Sequence, residues 1–178
     1  GKTTLLNILG TLQKLQYGSL KINNQEIKNL NDTQLSSFRN KHIGFVFQFH
    51  NLLPEFTVLE NVCLPALINK GNKVKIEQKA KQILENLHMS DKINKKPNEL
   101  SGGEQQRVSV ARSLINSPTI LLADEPSGNL DSKNANDLHN ILLKLNKEKQ
   151  QTVVVITHNN DLAKLADRVI RIEDGKII

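Results

Sequence analysis

The residues best suited to chemistry in this 178-residue chain sit at the ends of its apolar runs. The chain opens Gly1-Lys2-Thr3-Thr4, the closing half of the phosphate-binding pattern G-x-x-x-x-G-K-[ST]. Such a loop offers bare backbone amides to phosphate and runs into a helix N-terminus. Leu5, Leu6, Leu9 and Leu12 have the spacing of that helix's apolar stripe. The leading glycine of the pattern is missing, so the chain is expected to start inside the loop, with the preceding strand upstream. A second run, Ile120–Ala123, ends in Asp124-Glu125-Pro126. Phosphoryl transfer needs a carboxylate for Mg²⁺ and, next to it, a base or a group that positions water. Asp124 fits the first role and Glu125 the second. Acids meeting solvent at a strand end would look the same.

Two further motifs point the same way. In Leu100-Ser101-Gly102-Gly103-Glu104, Ser101 and Glu104 have capping-box spacing for a helix start. A plain cap does not need Gly102 and Gly103, which weaken the first turn. Glycines there make sense if an anion approaches the amides and the positive end of the helix dipole. The run Val155-Ile156-Thr157 ends in His158. A histidine so placed is often only a polar terminus. One crossover helix separates it from the Asp124-Glu125 strand, however, which makes the two strand ends neighbours.

The elements that must position these residues alternate. Turn residues Tyr17-Gly18-Ser19 precede a short strand from Leu20, and Ile43–Gln48 is strand-like. Asn51–Leu64 reads as an irregular loop turning into a helix. Lys73–Met89 is an amphipathic helix with Ile76, Ala80, Ile83, Leu84 and Leu87 on one stripe. Pro97-Asn98-Glu99 breaks the chain before a helix over Gly102–Ile115. Thr119–Ala123 and Thr152–Thr157 are buried parallel strands, separated by a helix carrying Leu138, Ile141, Leu142 and Leu145. A last strand, Val169–Ile172, ends at the turn Asp174-Gly175. The fold class is therefore α/β with a mostly parallel sheet, and residues from about 51 project as a helical subdomain.

Composition narrows the function. No apolar run approaches the roughly 18 residues of a membrane span, and no secretory leader is visible. Cys63 alone forms no internal disulfide, suits a reducing compartment, and reads as a small half-buried apolar residue. The net charge of +6 comes from scattered lysines, and aromatics are only 3%. That leaves no base-stacking platform, so nucleic acid is not expected as a partner. Solvated surface charge explains the lysines better, and proximity to an anionic membrane face comes second.

Taken in order, Gly1–Thr4, Gln48, Leu100–Gln105, Leu122–Pro126, Ser127-Gly128-Asn129-Leu130-Asp131 and Thr157-His158 resemble the elements of an ABC-transporter nucleotide-binding domain. The resemblance covers the whole chain, 1–178, and implies a P-loop NTPase fold with an inserted helical subdomain at about 51–115. It implies a head-to-tail homodimer, with ATP between Gly1, Lys2, Thr3 and Thr4 of one copy and Ser101, Gly102 and Gly103 of the other. Lys2 would neutralise the β- and γ-phosphates, and Thr3, Gln48 and Asp124 would hold Mg²⁺. Glu125 would polarise the attacking water and His158 would hold the γ-phosphate. With both Glu125 and His158 present, a competent ATPase is expected. Glu104 stands where the family usually has glutamine. The aromatic residue that stacks on adenine lies upstream of this loop in the family, so no adenine contact is named.

Within the family, Phe47–Val62 (FQFHNLLPEFTVLENV) resembles the lipoprotein-releasing group. That implies a subunit on the cytoplasmic face of the inner membrane, docked to integral membrane permease subunits near Phe49, Leu52, Leu53 and Phe56. For each of these side chains ordinary subdomain packing is the competing reading. Macrolide-type efflux and cell-division ATPases share the Ser127–Asp131 motif and stand as alternatives. So does a soluble ABC ATPase, although the roughly one hundred residues between Lys2 and Ser101 leave no room for a long coiled-coil arm.

Overall fold

In a computed structural model, which describes residues 1–69 and 71–178, the apolar runs become the middle of a layered α/β unit. In chain order, helix α1 (Lys2–Leu9) is followed by a small hairpin, β1 (Lys21–Ile22) and β2 (Gln25–Glu26). Helix α2 (Asp32–His42) runs directly into β3 (Ile43–Phe47). Three helices come next: α3 (Val58–Leu67), α4 (Lys73–Asn86) and α5 (Gly102–Leu114). Then follow β4 (Ile120–Asp124), α6 (Ser132–Lys149), β5 (Thr152–Ile156) and the short α7 (Asn160–Lys164). A terminal hairpin joins β6 (Ile172–Glu173) to β7 (Lys176–Ile177).

The central sheet is parallel, in the order β3-β4-β5. Its register pairs Ile43 with Ile120 and Ile120 with Thr152, so Phe47, Asp124 and Ile156 finish level at one edge. Alternation along a strand sends neighbouring side chains to opposite faces. Accordingly Val46, Leu121 and Ala123 pack with α3–α6 through Val58, Val62, Leu84, Val108 and Leu138. Leu122 faces the other way, with Leu6 of α1, Phe38 of α2, Ile22 and Ile43. A strand buried on both faces explains why β4 reads as unbroken apolar sequence. Gly44 lets β3 approach α5, because a Cβ there would lie 2.6 Å from the Ser113 carbonyl oxygen.

Several expectations need correction. Helix α1 ends at Leu9, so Leu12 lies beyond it and is exposed. Leu5 is exposed as well, and Leu6 is the residue of that stripe that is fully buried. Helix α4 stops at Asn86, three residues before Met89. The final strand starts at Ile172, leaving Val169 and Ile170 in exposed coil. Among the described residues the pairing begins at Ile172, where β6 meets β7 across the turn at Asp174 (φ 47°) and Gly175 (φ 77°). Strand β2 and helix α2 were not anticipated, although Asn31 and Gln34 form a full capping box at the start of α2. Cys63 is buried, and burial pushes its thiol up to about 11. Among the described residues no helix is long and apolar enough to cross a membrane.

Candidate active site

The level edge of the sheet is where ligands of open α/β folds bind, and four of the expected residues meet there. Helix α1 is anchored by Leu6 against β4 and β5. Gly1 caps it without a side chain, and its first turn holds no acid, so its positive end is unopposed. Gly1, Lys2, Thr3 and Thr4 are all exposed. The Thr3 side chain lies beside the Asp124 carboxylate. Burial pushes the Asp124 carboxyl up, the nearby Thr3 hydroxyl acts against that, and the charge of Glu125 pushes it further up.

Glu125 turns out of the strand with φ 44°, a left-handed conformation uncommon for a residue with a Cβ. Its amide donates to the Ile156 carbonyl oxygen (2.9 Å), so the neighbouring strand holds the turn. Glu125 Oε1 lies 2.8 Å from His158 Nδ1, and Oε2 accepts from the His158 amide at 3.4 Å. That geometry places a proton on Nδ1 and fixes the ring's orientation. The glutamate side chain is 22% exposed and the histidine 83%, so the pair stands at the edge with its basic member outermost. A backbone held this far from its relaxed state is a mark of functional sites.

Gln48, just beyond β3, donates from Nε2 to Asn129 Oδ1 at 2.9 Å. Asn129 Nδ2 approaches the Gln48 carbonyl oxygen in return, at 3.4 Å. Gly128 makes room for this, because a Cβ there would come within 2.9 Å of Gln48 Nε2. Gln48 is therefore tied to the Ser127–Asp131 loop and makes no hydrogen bond to Thr3 or Asp124 among the described residues.

Ser101 and Glu104 form the expected capping box: the Glu104 carboxylate accepts from the Ser101 amide at 2.8 Å, and Ser101 Oγ accepts from the Glu104 amide at 3.3 Å. The two glycines have different causes. A Cβ on Gly103 would run into the Asn134 side chain, so its absence is needed for packing against α6. Gly102 faces open space, with Leu130 3.9 Å away as its nearest neighbour, so packing gives no reason for it. Only Gly102 keeps the anion argument in full. Ser101, Gly102 and Gly103 make no hydrogen bond to Lys2, Thr3, Asp124, Glu125 or His158 among the described residues.

Several residues that shape the site were not anticipated from the sequence. Gln106 is fully buried and donates to the Phe47 carbonyl oxygen (3.2 Å) and the Pro126 carbonyl oxygen (2.6 Å), tying α5 to two site loops. His50 Nε2 meets the Gly102 carbonyl oxygen at 2.9 Å, and Arg112 donates to the carbonyl oxygens of Asn51 (2.6 Å) and His50 (2.8 Å). Asn61, fully buried, donates to Leu53, Phe56 and Thr57 carbonyl oxygens and accepts from the Leu53 amide. Once Glu60 is assigned to the capping box with Thr57, Asn61 is the unexplained polar residue in an apolar helix, a signal that was available. It shapes the loop so that Phe49, Leu53 and Phe56 stay exposed, while Leu52 packs partly buried against the core. Leu53 borders a cleft of about 740 Å³ walled by Phe47, Pro65, Ile68, Arg39 and Arg112.

Known proteins share this architecture. The ABC transporter family matches residues 1–128. The lipoprotein-releasing system ATP-binding protein LolD of Cytophaga hutchinsonii is 56% identical over 178 residues, covering 100% of this chain and 81% of that protein. The LolD of Bacteroides fragilis is 51% identical, covering 100% and 82%. Among solved structures, the post-hydrolysis dimer of the ATP-binding cassette MJ0796 bound to ADP and Pi superposes with a TM-score of 0.89 at 42% identity, over 99% of this chain and 78% of that one. A second dimeric structure of MJ0796, a bacterial ABC transporter cassette, gives 0.88 at 44% identity. With the family matched over most of its length and relatives more than half identical across all of it, this chain belongs to the ABC transporter family, as an ATP-binding subunit of the LolD type.

Proposed function

We propose that this chain binds and hydrolyses ATP as the motor of a transporter that releases lipoproteins from the inner membrane toward the outer membrane. The observation that carries the catalytic half is the Glu125–His158 pair, 2.8 Å apart on the ends of adjacent parallel strands, beside Asp124 and Thr3. The cargo half rests on the LolD relatives.

In this reading the amides of Gly1–Thr4 and the Lys2 ammonium hold the β- and γ-phosphates. Thr3, Gln48 and Asp124 would hold Mg²⁺, which would neutralise phosphate charge. The Thr3 hydroxyl facing the Asp124 carboxylate is an oxygen donor set that suits this hard cation. Glu125 takes a proton from the water that attacks the γ-phosphorus, the bond to the bridging oxygen breaks, and ADP leaves with that electron pair. His158, oriented by Glu125, holds the γ-phosphate. Catalysis is then mainly positioning and charge neutralisation.

Ser101, Gly102 and Gly103 act on the nucleotide of a second copy, head to tail. That they make no hydrogen bond to the site of their own chain among the described residues supports this, as do the dimers of the related cassette. The catalytic core and a helical subdomain at about 51–115 form the two parts of each copy. Membrane permease subunits dock at Phe49, Leu53 and Phe56, with Leu52 supporting from beneath, on the cytoplasmic face. The test is phosphate release from Mg-ATP by the full chain, joined to depletion of the protein in cells. Lipoproteins should accumulate in the inner membrane. Normal sorting with failure of drug export or septation would overturn the cargo assignment and leave the ATPase intact.

A further inference from the structure

We propose that His139 is a positioning residue for hydrolysis, a buried strap that holds the loop after Glu125 against helix α6. His139 lies two turns into α6, where an apolar residue would fill the same space, and it is 4% exposed. Its Nε2 sits 3.1 Å from the hydroxyl of Ser127, itself 8% exposed. Ser127 is two residues beyond Glu125 and opens the loop that Asp131 closes by capping α6, accepting from the Asn134 amide at 2.9 Å. The loop is thus fastened to its own helix at both ends.

The fastening matters because of what the loop carries. The Gly128 amide donates to the Glu125 carbonyl oxygen at 3.0 Å, and Asn129 holds Gln48. Three elements therefore converge around Glu125: β5 through the Ile156 carbonyl oxygen, α5 through Gln106 on the Pro126 carbonyl oxygen, and α6 through His139 on the Ser127 hydroxyl. Burial lowers the pKa of the imidazole, with the charge of Asp161 opposing, so the ring is neutral at physiological pH and the link is a neutral hydrogen bond. Without His139 the left-handed turn at Glu125 loses its α6 support, and the carboxylate spends less time where it can reach water. The phosphate-holding residues of α1 lie on the opposite face of the sheet and keep their places. The defect is therefore one of turnover and not of nucleotide affinity.

This inference rests on the reading that Glu125 serves ATP hydrolysis, and the test separates the two. Phosphate release by the full chain is measured for wild type, His139→Phe, His139→Gln and Ser127→Ala, with melting temperature and ATP affinity alongside. The Phe variant replaces the imidazole by an apolar phenyl ring and should lose about tenfold in kcat, the scale of one buried hydrogen bond, with KM within about twofold. Gln, whose amide reaches about as far as Nε2, should restore most of the loss. Ser127→Ala should match Phe, and the double variant should be no worse than either single one. If His139→Phe fails to fold, Ser127→Ala carries the test alone. Wild-type kcat in Ser127→Ala, or additive losses in the double variant, would overturn the strap. An inactive wild type would instead overturn the ATPase reading beneath it.

Discussion

Replacing Glu125 by Gln probes the proposed base with little disturbance of its surroundings. Gln keeps the oxygen that accepts from His158 Nδ1 at 2.8 Å. It carries the same Cβ at the same φ of 44°, so the strain of the turn is unchanged. The backbone bonds to Ile156 and from Gly128 do not involve the side chain. Stability should stay within about 0.5 kcal/mol of wild type. The charge of Glu125 pushes the Asp124 carboxyl up, so its removal eases ionisation of Asp124 and leaves Mg-ATP binding intact or slightly tighter. What disappears is the acceptor for water's proton, an effect of about 10²–10⁴ in rate, or roughly 3–5 kcal/mol in the barrier. The assay is initial-rate phosphate release at saturating Mg-ATP, with nucleotide affinity measured separately by calorimetry. Turnover within about threefold of wild type would remove Glu125 from the base role, however well placed it is.

The two signature glycines should part company. Gly102→Ala meets open space and should shift the melting temperature by no more than about 2 °C while abolishing hydrolysis, whereas Gly103→Ala displaces Asn134 and should cost about 1–2 kcal/mol of stability. Glu104 should show in acid titration. The Ser101 amide holds its carboxyl below the ordinary range, so its stabilisation is complete above the unfolded pKa of about 4.3 and fades as pH falls through the lower folded value. Between about pH 5 and about pH 3 wild type should lose more stability than Glu104→Gln, which keeps the capping box without titrating; equal losses in denaturant melts would refute this. Leu53→Asp adds a charge at a half-exposed position beside the cleft, so it should leave phosphate release within about twofold and abolish co-purification with the membrane subunits. Retained assembly would move the docking surface elsewhere.

What sequence reading recovers here depends on how local the cause is. The β4 and β5 runs, and the approach of His158 to Glu125, follow from strand periodicity and one crossover. The Ser101 cap is a four-residue signal and appears as expected. Helix α2 carries the same kind of signal at Asn31, but its few apolar residues, of which Phe38 is the one buried, leave little periodicity to find. Gln48 illustrates the opposite situation. Its present partner, Asn129, lies 81 residues away, and only the parallel register brings their loops together. The same is true of Gln106, His50 and Arg112, whose bonds go to backbone carbonyl oxygens that no residue pattern marks. The terminal run Val169–Ile172 was misread because apolar, β-branched sequence signals a strand whether or not a partner is in reach.

The capping boxes of α2, α3 and α5 also bear on the order in which the chain assembles. Each helix start is written within four residues, so these helices can nucleate from local sequence. Strand β3 cannot: its sheet partner among the described residues, β4, follows after three intervening helices, and the loop between them must close before that pairing is rewarded. Synthesis on the ribosome therefore presents α3 and α4 well before β4 exists, and α5 just ahead of it, with the β4-facing edge of β3 waiting uncovered. Kinetic partitioning between folding and aggregation is decided in that interval, and a chaperone that shields Ile43–Phe47 would act there. Pulse-labelled hydrogen exchange during refolding should protect amides of α3 and α5 ahead of those in β4, and simultaneous protection would contradict this order.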